Sequence, residues 1–157
     1  MSRTTRATQA LTAAGTAFTV HSYDYDPDAE KVGLQAAEAL GADPGGVLKT
    51  LMILVDGKPA CAVIPSNREL SMKKAAAAFG GKSAQMMKPA DAERATGYVV
   101  GGISPFGQKK RVPTAIEAEA MELAMVFING GQRGLQVRLA PGDAATVLGA
   151  VVVALVA

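Results

Sequence analysis

The chain has 157 residues, of which 49% are hydrophobic and 19% are charged. This balance is typical of one globular domain and excludes a disordered or low-complexity chain. The net charge of +2 excludes a uniformly basic surface, so any contact with nucleic acid has to come from local clusters of Lys and Arg.

Cys61 is the single cysteine and His21 the single histidine. This excludes an internal disulfide, a multi-cysteine zinc site and a histidine-cluster metal centre, so we expect no metal and no cofactor. The first 15 residues lack the continuous apolar core of a signal peptide, and the apolar stretch 149–157 is less than half a membrane span. We therefore expect a cytoplasmic protein without a membrane segment, whose residues 151–156 form a buried last strand.

In chain order, apolar residues at helical spacing predict a first helix over 4–15, and alternating side chains predict a strand over 18–23. The segment 33–41 is rich in Ala and Leu and ends in glycine, which predicts a second helix. Two apolar runs around Asp56-Gly57 predict a hairpin over 47–65, because this dipeptide suits the positive-φ positions of a tight turn.

In the second half, Ser71 is placed to cap a third helix and Pro89 to open a fourth, with a strand near 83–87 between them. Three β-like runs and a helix that begins with proline follow, over 113–117, 124–130, 135–140 and 141–149. Regular alternation of strands and helices is missing, which argues against a doubly wound sheet. The sequence predicts a single α+β domain over 1–157, with a mixed, curled or barrel-like sheet and helices packed outside.

The segment 97–114 combines four glycines and two prolines with three consecutive cations at 109–111. Such a composition indicates a shaped loop, and the cations beside it indicate a site for an anion. Gly102 and Gly107 have the spacing of a phosphate-binding P-loop, but Gln108 stands where that loop needs its lysine. A purely structural turn and an anion site both remain open.

The acidic run 24–30 begins like an EF-hand loop. Ala29 and Gln35 occupy the positions of the required glycine and bidentate glutamate, so we expect solvated carboxylates and no calcium site. His21 and Cys61 allow at most one Cys-His or Ser-His-Asp set. Cys61 lies in an apolar predicted strand, which favours inert packing over a nucleophilic role.

Lys49 interrupts the otherwise apolar run 47–55. On a strand its stem would pack among buried residues, so its ammonium would have to reach a cavity or a carboxylate. Beside a pocket that cation would favour phosphate or developing negative charge, and we therefore expect a functional role for Lys49.

Three segments together resemble the YbaK/EbsC family of bacterial Cys-tRNA(Pro) deacylases: KTL (49–51), GGISPFGQKKRVPT (101–114) and NGGQRGL (129–135). The resemblance extends over nearly the full length. This family is related to the insertion domain of bacterial prolyl-tRNA synthetase, which performs editing, and the group shares a strand lysine and a G-x-x-x-P loop. In this chain these features correspond to Lys49 and to Gly101 through Pro105.

The resemblance implies a trans-acting deacylase that hydrolyses mischarged Cys-tRNA(Pro), with tRNA and prolyl-tRNA synthetase as partners. A synthetase cannot strongly reject small near-isosteric side chains, so a second site has to remove them. The resemblance also implies that the cysteinyl thiol attacks the carbonyl of its own ester, which releases the tRNA and leaves a cyclic thiolactone. This would explain why the sequence offers no convincing nucleophile. A water-using deacylase for Ala or another small residue and a non-catalytic tRNA- or synthetase-binding module remain open.

The same resemblance implies roles for individual residues. Lys49 and the backbone N–H groups of Gly101 and Gly102 would stabilise the oxyanion and the leaving 3′ end. The expected substrate-binding residues are Tyr23, Val32, Thr50, Ile103, Ser104, Pro105, Asn129, Gly130, Gly131 and Gln136. Candidate tRNA phosphate contacts are Lys109, Lys110, Arg111 and Arg133.

Three expected site residues depart from the usual residues of the family. Val32 stands where a larger aromatic residue is common, Asn129 replaces a serine, and Gln136 replaces an acidic residue. These departures leave the amino-acid specificity open.

Overall fold

The computed structural model describes residues 4–28 and 31–157, within which the chain forms five α-helices and eight strands. The helices are α1 (Arg6–Ala13), α2 (Val32–Leu40), α3 (Met72–Ala78), α4 (Pro89–Thr96) and α5 (Pro141–Leu148). The strands are β1 (Thr19–Ser22), β2 (Val47–Val55), β3 (Lys58–Pro65), β4 (Ala84–Met86), β5 (Thr114–Glu117), β6 (Val126–Asn129), β7 (Leu135–Leu139) and β8 (Val151–Val153).

One mixed sheet organises the domain. Its strands follow the order β1-β7-β6-β2-β3-β5-β8, and β4 pairs with β2 beside this path. The β2–β3 hairpin lies at the centre, and its turn places Asp56 at φ 49° and Gly57 at φ 81°, as the dipeptide predicted. The expected α+β fold with a mixed sheet is confirmed.

Both faces of the central hairpin are buried. Along β3, Cys61 and Val63 belong to one hydrophobic cluster, whereas Ala62 and Ile64 belong to a second cluster that α3 covers. Successive side chains of a strand point to opposite faces, so a central strand covered on both sides reads as a continuous apolar run. This explains why the sequence shows no polar alternation over 47–65.

The other edge of β2 is only partly paired. Val47 and Leu48 pair in parallel with β6, and Ile53 to Val55 pair antiparallel with β4. Among the residues that the structure describes, no strand is in register with 49–52 on that side. The sheet therefore has a gap beside Lys49, between β6 and β4.

The predicted elements and the observed ones agree in type and order, with small shifts at their ends. Two short 3-10 turns, at Pro44–Gly46 and Ala118–Glu122, were not predicted, because such turns have no apolar periodicity. Among the described helices, none has the length and apolar character that crossing a bilayer requires.

The last strand differs from the prediction. β8 pairs with β5 at the edge of the sheet, and Val151 and Val152 keep 46% and 42% of their surface exposed. The chain enters the core only afterwards, where Leu155 is fully buried. The prediction of a buried strand over 151–156 is therefore wrong for its first half, because apolar composition does not distinguish an edge strand from a central one.

A buried carboxylate fastens the C-terminal segment to β5. Glu117 is 1% exposed, and its carboxylate accepts hydrogen bonds from the N–H groups of Leu155 (2.7 Å), Val156 (2.9 Å) and Glu119 (2.8 Å). Burial by itself raises the pKa of a carboxyl, but these donors outweigh burial and lower the pKa of Glu117 below its ordinary value of 4.5. The folded state therefore favours the ionised form.

We expect Glu117→Gln to lower the free energy of unfolding by about 1.5–3 kcal/mol near neutral pH, because charge-assisted hydrogen bonds are lost. Since the folded-state pKa is depressed, the advantage of the wild type is fully present above pH 4.5 and disappears as pH falls through the folded-state pKa. Urea unfolding across this pH range measures the difference, with the exposed Glu122→Gln as control. A difference that does not change with pH would contradict the assignment.

Candidate active site

A cavity of about 360 Å³ lies at the gap beside β2. The start of α2, the middle of β2, the turn after β3, the loop 99–107 and the strands β6 and β7 all contribute to its wall. Seven predicted site residues line it: Val32, Lys49, Thr50, Gly101, Ile103, Asn129 and Gln136. Residues far apart in the chain thus meet in one place.

The other five predicted substrate-binding residues do not line this cavity: Tyr23, Ser104, Pro105, Gly130 and Gly131. Gly102, predicted as a catalytic residue, does not line it either. Ser104 is fully buried, and its hydroxyl accepts a hydrogen bond from the Phe106 N–H at 3.2 Å, which holds the loop in shape. The Gly130 carbonyl accepts from the Thr5 hydroxyl at 2.5 Å. Through these contacts Ser104 and Gly130 stabilise the segments that form the wall, without facing the cavity themselves.

Tyr23 packs behind the cavity, with Ala36 and Val47 in the cluster under α2. Burial raises the pKa of the Tyr23 hydroxyl, and the neighbouring Gln136 side chain opposes this shift without forming a well-aligned hydrogen bond. Tyr23 therefore stays neutral at physiological pH and contacts the site through Gln136.

Lys49 brings a cation to the cavity. It lies on the face of β2 between Val47, which packs under α2, and Leu51, which packs in the cluster under α3. Within the described ranges its ammonium has no hydrogen bond and no ion pair. Burial lowers the pKa of Lys49, Glu69 opposes this shift, and Lys31 adds to it. An anion or a polarised carbonyl would relieve this unpaired charge.

Two buried acceptors line the same cavity. Thr50 Oγ1 and Gln136 Oε1 have no hydrogen-bond partner among the described residues, and Gln136 is only 3% exposed. A buried acceptor without a donor costs about 1–3 kcal/mol. Gln136 Oε1 can only accept, whereas the Thr50 hydroxyl can accept or donate, so the pair favours a ligand that brings an N–H or O–H group to Gln136.

Asn129 joins two glycine-containing loops at the wall. Its Oδ1 accepts from the N–H groups of Gly131 (2.7 Å) and Gln132 (3.3 Å), and its Nδ2 donates to the Gly101 carbonyl (3.3 Å). An amide carries a separate acceptor and donor, whereas a serine hydroxyl has one oxygen for both tasks. With asparagine in place of serine, one side chain can therefore accept from the Gly131 loop and donate to the Gly101 loop at the same time.

Gly102 allows the two loops to approach each other. A Cβ at this position would lie 2.8 Å from the Arg133 nitrogen and 2.9 Å from the Gln132 carbonyl carbon, which are both main-chain atoms. The Gly102 N–H donates to the Val99 carbonyl at 2.8 Å. In contrast, the N–H groups of Gly101 and Ile103 have no acceptor among the described residues, although both residues line the cavity.

The four candidate tRNA contacts separate into two groups. Arg133 lies beside Gly101, where a Cβ would come within 3.3 Å of its Nε. Arg111 instead donates to the Leu148 carbonyl at 3.3 Å, where a cation also stabilises the C-terminus of α5. The backbones of Lys109 and Lys110 donate to Thr96 and Ala95 near the end of α4. None of the four residues lines the cavity, and only Arg133 lies beside a residue that does.

The remaining motif residues lie away from the cavity. Cys61 is 1% exposed, and burial raises the pKa of its thiol to about 12, so it is not ionised at neutral pH. His21 Nε2 lies 2.8 Å from Thr19 Oγ1, and its ring meets Phe127 edge-on. In the acidic run, Asp26 accepts from the Asp28 N–H at 2.9 Å in a local turn, and Ala29 lies outside the described residues.

Among the residues that the sequence did not single out, Ser66 and Gly33 line the cavity and Tyr25 lies beside its wall. Ser66 donates to the Val47 carbonyl at 2.5 Å and packs against Gly33, where a Cβ would lie 2.7 Å from the Ser66 Cβ. Tyr25 lies over Gly101. The contact of Gly33 with Ser66 joins distant positions and leaves no local pattern, but Tyr25 lies in the HSYDYDP segment and could have been singled out.

Residues 26–147 match the family described as the aminoacyl-tRNA editing domain. A relative from Enterococcus faecalis, named "Putative Cys-tRNA(Pro)/Cys-tRNA(Cys) deacylase EbsC", is 45% identical over 107 residues, which are 67% of this chain and 65% of the relative. A proline–tRNA ligase of Acidithiobacillus ferrooxidans is 30% identical over 90 residues, which are 57% of this chain and 16% of the ligase. The chain therefore matches less than two thirds of the length of either relative.

A solved structure described as "a putative trans-editing enzyme for prolyl tRNA synthetase" has a TM-score of 0.85 to this chain. The match covers 97% of this chain and 95% of the other at 24% identity. At this identity the likeness shows the fold alone.

We expect Gly102→Ala to lower the free energy of unfolding by about 1–3 kcal/mol, since the added methyl group would press on main-chain atoms of the other loop. The matched control is Gly142→Ala in α5, where nothing lies within 4 Å and where alanine should be neutral or stabilising by up to about 1 kcal/mol. Urea unfolding of both variants measures the effect. Equal stabilities would show that the loops do not depend on this contact.

Proposed function

The chain belongs to the aminoacyl-tRNA editing domain family, and from this premise we propose that it is a trans-acting deacylase that removes cysteine from mischarged tRNA(Pro). The observation that carries the proposal is the cavity itself, which Lys49, Gly101 and Ile103 line together. Within the described residues, the Lys49 ammonium has no ion pair and the N–H groups of Gly101 and Ile103 have no acceptor. The proposed substrate is the aminoacylated 3′ end of tRNA(Pro), the partner is prolyl-tRNA synthetase, and the place of action is the cytoplasm.

The aminoacyl group offers an α-ammonium, an ester carbonyl and a side-chain thiol. Gln136 Oε1 and Thr50 Oγ1 are the acceptors that we assign to the α-ammonium, because both are buried in the cavity and have no hydrogen-bond partner in the part of the chain that the structure describes. Gln136 is neutral, so it would recognise the ammonium through a hydrogen bond and without an opposite charge. Val32 at the start of α2 would pack against the side chain.

The proposed reaction uses the nucleophile of the substrate. The thiol sulfur attacks the ester carbonyl carbon, the bond from that carbon to the tRNA 3′ oxygen breaks, and the thiol proton ends on this oxygen. The products are tRNA with a free hydroxyl and a cyclic thiolactone, which water later opens to cysteine. Lys49 and the N–H groups of Gly101 and Ile103 would stabilise the negative charge that develops on the carbonyl oxygen.

Gly102 has an indirect role in this scheme. Its own N–H is occupied by Val99, so we assign it the task of bringing the loop 99–107 against Gln132 and Arg133. Ser104, Pro105, Gly130 and Gly131 would support the same wall, and Tyr23 would orient Gln136 from behind.

A second candidate is a deacylase that uses water and prefers Ala or another small residue. The two orphan acceptors favour it, because Thr50 Oγ1 and Gln136 Oε1 could hold a water as readily as an ammonium. In that case the protein would have to position and activate the water itself, which requires a general base near the carbonyl.

Deacylation assays separate these candidates. Purified protein is given Cys-tRNA(Pro), Ala-tRNA(Pro) and Ser-tRNA in parallel, and we expect rapid loss of cysteine only. Loss of alanine but not cysteine would overturn the thiol mechanism in favour of the second candidate. Retention of all three esters together with tRNA binding would indicate a non-catalytic module.

Cys61→Ala serves as the internal control and should keep full activity, because the reacting thiol belongs to the substrate and Cys61 is buried away from the cavity.

We expect Lys49→Met to lower kcat/KM by roughly 10²–10³-fold, the usual effect of removing one oxyanion-stabilising group. The control is Lys58→Met, which replaces an exposed lysine on the same hairpin.

Lys49→Arg keeps the charge at all accessible pH values, whereas burial lowers the pKa of Lys49 from 10.5. The ratio of wild-type to Lys49→Arg activity should therefore fall as pH rises through the lowered pKa. A folded Lys49→Met variant with unchanged turnover would remove Lys49 from the mechanism.

A further inference from the structure

Tyr25 and Arg133 form a cation–π pair next to the cavity wall. Arg133 Cζ lies 5.5 Å from the centroid of the Tyr25 ring, and Arg133 Nε donates to the Val100 carbonyl at 2.9 Å, which orients the guanidinium. Both side chains lie against Gly101, since a Cβ there would be 2.6 Å from the Tyr25 hydroxyl and 3.3 Å from Arg133 Nε. The pair is thus adjacent to a residue that lines the cavity.

Exposed apolar side chains lie in the same segment. Val99 is 50% exposed and Val100 is 42% exposed, although large aliphatic side chains in this fold are mostly buried. Val100 also lines the cavity. Neither valine belongs to the hydrophobic clusters of the described residues. Their exposure therefore has no explanation in the packing of the core.

An aromatic ring, a guanidinium plane and apolar surface together match the chemistry of a nucleic-acid base. Proteins bind unpaired bases by stacking them on aromatic rings and on arginine planes, with the cation adding attraction for the nearby phosphate. On another side of the cavity, the lining residues Lys31 and Glu69 form an exposed ion pair at 3.8 Å, which offers no planar surface. The side at Tyr25 is therefore the better fit for a base.

In an aminoacyl-tRNA the amino acid is esterified to the ribose of the terminal adenosine. When the aminoacyl group occupies the cavity, the adenine is only one sugar away and has to lie near the mouth. We propose that this adenine stacks on a rim platform formed by Tyr25, Arg133, Val99 and Val100. The proposal rests on the proposed function and assigns the recognition of the 3′-terminal base, whereas the cavity takes the amino acid.

The first test measures binding without catalysis. Short RNA oligonucleotides ending in CCA or CCC are titrated into the wild-type protein and its variants, and affinity is followed by NMR. We expect the wild type to prefer CCA, and Tyr25→Ala to weaken CCA binding roughly ten-fold and abolish the preference. Tyr25→Phe, which keeps the ring, should retain both. Equal binding of CCA and CCC by the wild type, or unchanged CCA binding in Tyr25→Ala, would overturn the proposal.

The valines have a matched control. Val100→Ser should weaken CCA binding, whereas Val152→Ser should not, because both side chains are 42% exposed but Val152 lies at the sheet edge in β8 and does not line the cavity. Similar losses in both variants would show a general effect on solubility or stability and would contradict the rim platform.

The second test is kinetic and separates the platform from the chemistry. Cysteine esterified to the 3′ oxygen of adenosine is compared with cysteine methyl ester, each corrected for its uncatalysed hydrolysis. Tyr25→Ala should raise KM for the adenosine ester roughly ten-fold with little change in kcat, and should leave the methyl ester unaffected. Equal losses on both esters would mean a structural role and overturn the proposal. If the wild type cleaves neither ester, the proposed function fails, and the oligonucleotide titration still decides whether the platform binds adenine.

Discussion

The contact between the loops 99–107 and 130–134 determines the geometry of the whole site. Asn129 bridges them through Gly101 and Gly131, and Gly102 brings the two main chains within van der Waals distance. This contact fixes Gly101 and Ile103 at the wall of the cavity. It also places Arg133 against Gly101, so the rim platform depends on the same bridge.

The gap in the sheet explains how a lysine is tolerated in an apolar central strand. Because β4 and β6 pair with opposite ends of β2, the middle of the strand borders a cavity and not another strand. Lys49 and Thr50 can therefore carry polar groups there, at the cost of a charge and a hydroxyl that have no partner within the described ranges. Proteins generally accept such costs where a ligand compensates them. The core on either side of the gap, by contrast, is continuously apolar.

Local patterns were sufficient to predict the hairpin, the helices and the position of Lys49 on a strand, because each depends on neighbouring residues. The gap beside β2, the packing of Gly33 on Ser66 and the Tyr25–Arg133 pair could not be predicted from local patterns, since they depend on which strands become neighbours. The burial of the valines in β8 was predicted wrongly for the same reason. Arg111 belonged to a conspicuous basic run, yet its guanidinium binds the end of α5, which only the tertiary structure reveals.

The departures at Val32, Asn129 and Gln136 bear on how the proposed enzyme would discriminate its substrates. A pocket that separates side chains by size gains only about 1–3 kcal/mol per methylene-sized difference. In the thiol mechanism, by contrast, only a substrate that carries its own nucleophile can react, so cysteine is selected by chemistry after binding. The cavity then needs to hold the ester and the ammonium, which Lys49 and a neutral Gln136 can do, and it need not match the thiol closely. Under this mechanism the larger space beside Val32 is compatible with cysteine specificity, whereas a water-using enzyme with the same cavity would have to rely on fit.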